Sequence, residues 1–91
     1  MKRWGAVGAK KIALRLQQLS AAATLDDMRH LPGRCHELKG DLAAHLAVDV
    51  HHPFRMIVKA TAEPPPSKAD GGLDWTAVDS VTIVDIVDYH P

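Results

Sequence analysis

Leu31-Pro32-Gly33-Arg34-Cys35-His36-Glu37-Leu38-Lys39-Gly40-Asp41 divides this chain of 91 residues into two regimes of hydrophobic periodicity. Before it, apolar residues recur at three- and four-residue spacing. After it they come in short runs rich in Val, Ile and Leu, bounded by turn residues, which is the pattern of strands. Within the stretch itself, alternate side chains of an extended backbone face opposite ways. His36 and Leu38 then share one face and Glu37 and Lys39 the other, unless the chain turns at Lys39-Gly40. Gly40-Asp41 predicts that turn. A turn there would swing Lys39 round to the same site as His36.

Working back toward the N-terminus, Ala9, Ile12, Ala13, Leu16 and Leu19 predict a helix from Ala6 to about Ala22. Lys2, Arg3, Lys10, Lys11 and Arg15 lie off that apolar stripe and predict a basic, solvated helix face rather than an RNA surface. Thr24-Leu25-Asp26-Asp27 has the form of a capping box, with Thr24 accepting from the amide of Asp27 and both acids at the positive end of a second helix. That helix should last about two turns and stop at Pro32-Gly33. The two would form a helical hairpin over residues 1–31, with Leu16, Leu19, Leu25, Met28 and Leu31 supplying core.

Working forward, Cys35 to Leu38, Leu42 to Val50, Phe54 to Ala60 and Ser80 to Tyr89 read as four successive strands. Lys39-Gly40-Asp41 and His51-His52-Pro53 are short enough for hairpin links. Val81-Thr82-Ile83-Val84-Asp85-Ile86-Val87 is apolar on both alternating faces apart from Thr82 and Asp85, as expected of an interior strand. Residues 61–79 form a Pro- and Gly-rich insertion in which Trp75 should fold back and pack. The expected fold class is α+β: a single domain over 1–91, with an N-terminal helical hairpin on one face of an antiparallel sheet of about four strands at 34–60 and 80–90.

Formal net charge is zero, with eleven Lys and Arg against eleven Asp and Glu, so no long-range field draws the chain to phosphate. Cys35 is the single cysteine, which excludes an intramolecular disulfide and favours a reducing, cytoplasmic setting. Apolar stretches fall far short of membrane-spanning length. The six histidines lack the spacing of a structural zinc site, and neither metal nor cofactor is called for. His51-His52-Pro53 reads as a turn, Cys35 as a small buried residue, and Arg34 as pairing with Glu37 or Asp41 or else contacting RNA.

Taken together, the helical hairpin, the block from Leu31 to Asp41, Pro53-Phe54-Arg55, the acidic Asp70-Gly71-Gly72-Leu73-Asp74-Trp75 insertion and the Asp88-Tyr89-His90 ending resemble the HigB branch of the RelE/ParE toxins, the proteic killer protein group. The resemblance covers nearly the whole chain. It implies the toxin of a bacterial type II toxin-antitoxin system, one that cleaves messenger RNA on the ribosome and is neutralised by a HigA-like helix-turn-helix antitoxin. By motif position it makes His36, Lys39, Arg55, Tyr89 and His90 the catalytic set, with Arg34 and His45 at the RNA. The chemistry suits those residue types: RNA cleavage needs a base for the 2′-hydroxyl, cations beside the phosphorane and an acid for the departing 5′-oxygen. His36 and His90 would share the proton transfers in either order, Lys39 and Arg55 would stabilise the transition state, and Tyr89 would position the nucleotide.

The chain departs from the pattern twice. Leu42-Ala43-Ala44-His45-Leu46 replaces basic or glycine-rich residues, removing phosphate contacts for which His45 substitutes only in part. It also begins almost at Trp4-Gly5-Ala6, without the N-terminal strand usual in related chains. An unpaired sheet edge would follow, and with it a homo-oligomer or an obligate complex. The rival reading is a non-catalytic or degenerate toxin fold that binds a protein, either a gyrase-type target or the antitoxin alone.

Overall fold

The computed structural model describes residues 5–88. Helix α1 spans Gly5–Ala21, and a four-stranded antiparallel meander follows: β1 His36–Glu37, β2 His45–Asp49, β3 Phe54–Ala60 and β4 Val81–Asp88, in the spatial order β1-β2-β3-β4. Short 3-10 turns at Leu25–His30, Gly40–Leu42 and Trp75–Ala77 join them. The class is α+β, with helical elements on one face of the sheet.

Alternation decides which face that is. Leu46 stands opposite Val58 and Val48 opposite Met56, and all four are buried with Val50 and Ala60. Leu25, Met28, Leu73, Trp75 and Val78 close the core from the loops, and Ile12 and Leu19 of α1 pack against it. Burying one aliphatic side chain of this kind is worth about 1.5–3 kcal/mol, so this single layer carries most of the fold's stability. The other face of the sheet carries no helix of α type among the described residues, but its centre is closed over by side chains: Ala47 and Ile57 are 1% and 7% exposed and share a cavity with Leu38 and Leu42.

Several expectations are corrected. Among the described residues one α-helix forms before the sheet; Leu25–His30 is a 3-10 segment, so the hairpin has one helical arm and one tight turn. Its start is tied by the Leu25 amide to the Val78 carbonyl at 2.8 Å. Thr24 makes no side-chain cap; the Asp27 amide donates to its backbone oxygen, while the Asp27 carboxylate accepts from the Ala23 amide at 2.9 Å. Half of the capping box is present, with the hydroxyl unused.

The buried stripe of α1 is also rotated from the one predicted. Gly8, Ile12, Arg15 and Leu19 face inward, whereas Leu16 is 41% exposed and Leu31, beyond the helix, is exposed too. Arg15, read as part of the basic outer face, is 5% exposed. Its Nε donates to the Asp49 carbonyl at 2.7 Å and its Nη1 to Gln18 Oε1 at 3.1 Å, partners that satisfy a cation inside. Gly33 makes room for it: a Cβ there would lie 2.8 Å from Arg15 Nε, and φ is +116°.

Leu42, Ala43 and Ala44 do not begin β2. They belong to a longer link in which Gly40 (φ 67°) and Ala44 (φ 67°) both take left-handed backbone. Among the described residues β4 is an edge strand, not an interior one. Its second apolar face looks onto the side of the sheet away from α1, which is why alternation alone made it seem enclosed. Trp75 is buried as expected, its Nε1 donating to Glu37 Oε1 at 2.8 Å.

Candidate functional site

The face of the sheet away from α1 is a grid fixed by strand register. One row holds His45 and Lys59; the next holds His36, Ala47, Ile57 and Asp85; the third holds Asp49, Arg55 and Val87. Rows on one face are two residues, about 6.8 Å, apart along the strands. Arg34, two residues before His36, reaches the third row from the side.

There the structure gathers charge. Arg34 Nε donates to Asp49 Oδ2 at 2.7 Å, and Arg55 Nε lies 3.0 Å from Asp49 Oδ1. Two guanidinium groups thus share one carboxylate. The second contact is an ion pair without hydrogen-bond alignment, so Oδ1 is a buried acceptor with no in-line donor among the described residues. A hollow of about 340 Å³ opens beside the cluster, lined by Arg34, Asp49, His52, Phe54 and Arg55 among others. Arg34 takes φ 49°, and its carbonyl lies 2.7 Å from Nδ1 of His36, which fixes that imidazole beside the cluster.

The predicted residues fall into three groups. Arg34, Arg55 and His36 share this end of the face, with His36 about 12 Å from Arg55 by strand and residue spacing. His45 lies at the far end, opposite Lys59, with Nδ1 3.1 Å from the Ala43 carbonyl. Lys39 is exposed and still extended (φ −127°, ψ 176°), because the turn begins one residue later, at Gly40. Alternation therefore keeps it with Glu37, on the helix side of the strand. Tyr89 and His90 lie outside the described residues. The last described residue, Asp88, stands opposite Phe54 at the hollow's rim. His36 is on the opposite edge strand, three strand spacings across and three residues along, about 18 Å away.

Arg34 pairs with Asp49 rather than with Glu37 or Asp41. Asp49 and His52 were not among the predicted site residues. A lone carboxylate in Leu46-Ala47-Val48-Asp49-Val50 was the available signal for the first, being the one charge in an apolar strand. Cys35 is half-buried, and burial raises its thiol pKa to about 11, the nearby Arg29 guanidinium opposing this in part. It is a packing residue, not a nucleophile.

The centre of the same face is apolar. A cavity of about 250 Å³ is lined by Leu38, Leu42, Ala47, Ile57, Val84 and Val87, with Arg55 and Asp85 at its margin. Among the described residues no group of three or more His, Cys, Asp and Glu side chains is placed to hold a metal ion, and no helix is long and apolar enough to cross a membrane. Compared with family models, with curated proteins and with solved structures, the chain gives no match.

Proposed function

We propose that this chain is the toxin of a bacterial toxin-antitoxin pair, a HigB-like member of the RelE/ParE group, and that it engages messenger RNA on the open face of its sheet. The observation that supports this reading is the hollow where Arg34 and Arg55 converge on Asp49, with His52 in its lining and His36 held by the Arg34 carbonyl. Guanidinium groups supply planar donors matched to phosphate oxygens, and imidazoles supply proton transfer near neutral pH. In this version Arg55 and Arg34 hold the scissile phosphate and stabilise its developing charge, while His36 moves a proton at the adjoining sugar. A HigA-like antitoxin would neutralise the toxin by covering that face.

The test is induction of the chain in bacterial cells followed by primer-extension mapping of messenger RNA. Discrete cuts in translated frames, lost in Arg55→Ala and reduced in His36→Ala, are the expected result. A transcript pool without cuts despite growth arrest would overturn the nuclease reading. A second reading, a non-catalytic toxin fold that docks a protein, draws on the apolar centre of the same face. It predicts arrest without cuts, abolished by Val84→Lys, a change at an exposed residue of that cavity, and insensitive to His36→Ala.

A further inference from the structure

The edge at β4 borders a groove on the helix side of the sheet, separate from the arginine cluster. Ala60 stands opposite Val81, and the Thr61 amide donates to the Ser80 carbonyl at 2.9 Å. In an antiparallel ladder this makes Ala60 and Val81 a wide pair, so the amide and carbonyl of Val81 turn away from β3. Those of Thr82 turn inward, and those of Ile83 outward again. Among the described residues no strand lies on that side.

Beyond Ile83 the edge is closed differently. The register shifts opposite Ile57 and Val58, leaving Val84 as the extra residue of a bulge, and the Asp85 carboxylate accepts from the Ile86 amide at 2.8 Å. Bulges and edge charges of this kind block sheet extension. Blunting thus stops at the bulge and leaves Val81 to Ile83 open.

Alongside that open segment runs a groove of about 320 Å³ between α1 and β4, whose walls include Leu16, Leu19, Val81 and Ile83, with Asp79 at its rim. Leu16 and Ile83 are each about two-fifths exposed there. From Thr76 to Asp88 the charged residues are Asp79, Asp85 and Asp88, with no Lys, Arg or His among them. A second copy of the edge would bring the same acids to the seam and no cation.

We propose that this edge takes up a short extended segment of a partner polypeptide, apolar on one face and basic on the other. Its main chain pairs with the outward amides and carbonyls of Val81 and Ile83. Its apolar side chains enter the groove between α1 and β4, and the cations of its other face meet Asp85 on the far side of the sheet. Main-chain pairing supplies the affinity, the groove and Asp85 the selectivity.

Fluorescence anisotropy with the full chain and a capped, labelled peptide of alternating lysine and isoleucine tests this. Saturable binding is expected, weakened at least about tenfold when glutamate replaces lysine. A comparable loss is expected when every second peptide amide is N-methylated, a change that removes pairing donors and keeps the side chains. Ile83→Lys should remove binding while leaving the circular dichroism spectrum unchanged, and Arg55→Ala, which disables the RNA reading, should leave binding intact. No binding, equal affinity for the N-methylated or the glutamate peptide, or sedimentation of the chain alone as a dimer that Ile83→Lys splits, would each overturn the proposal.

Discussion

Asp49 is the residue on which the open face turns. Its carboxylate holds Arg34 and Arg55, and its carbonyl accepts from the buried Arg15, so one position joins the helix to the site. Asp49→Asn should lower stability by about 1 kcal/mol, a modest amount because Arg34 is largely exposed and solvent screens the pair. The same substitution frees one positive charge, so it should strengthen RNA binding several-fold at low salt, read by filter binding, while Arg55→Ala weakens it. Opposite signs at two residues in contact separate a phosphate site from a structural ion pair. Cys35 makes a prediction of the other kind. Burial holds its thiol pKa at about 11 in the folded chain, above the usual value, so the native state keeps its proton where the unfolded state loses it. That stabilising difference is complete below pH 9 and is lost as pH rises toward 11. Alkylation by iodoacetamide at pH 8 should accordingly be slow in native protein and fast in urea.

At the level of elements, the strands were legible and the helix surface was not. Phe54 to Ala60 is read from its apolar run with the bounds the structure gives, because a half-buried strand needs only period-two alternation. The stripe of α1 was misread because apolar residues occur around most of its circumference, and a buried arginine looks like a surface one in sequence. What places Arg15 inside is a carbonyl from β2, a partner that helical periodicity does not encode. Lys39 was misplaced for a finer reason: Gly40-Asp41 signals a turn, but one starting at Gly40 leaves the preceding side chain on its original face. The arginine cluster needed the pairing of Asp49 with Arg55, which register alone supplies. Gly33, where β1 approaches α1, gives the sharpest element-scale prediction. Gly33→Ala forces a Cβ against Arg15 and a positive φ on an L residue, and should cost about 2 kcal/mol or more in urea denaturation.

For the whole molecule, a meander in which each strand pairs with its sequence neighbour places β2 and β3 inside the sheet and β1 and β4 at its rims. Native-state hydrogen exchange should be slowest at Leu46 to Val48 and Met56 to Val58, and faster at Val81 and Ile83, whose amides look outward. Equal protection across all four strands would mean that something covers the β4 edge in solution. The molecule also fastens its longest loop to its shortest strand. Glu37 accepts from the Trp75 indole and faces the Leu73 amide at 3.3 Å, while Arg29 stacks 4.0 Å from the centre of the indole ring. The carboxylate acts as a rivet through two layers: a protease that nicks the tip near Lys68 would loosen not just a surface excursion but the rim of the sheet that carries His36.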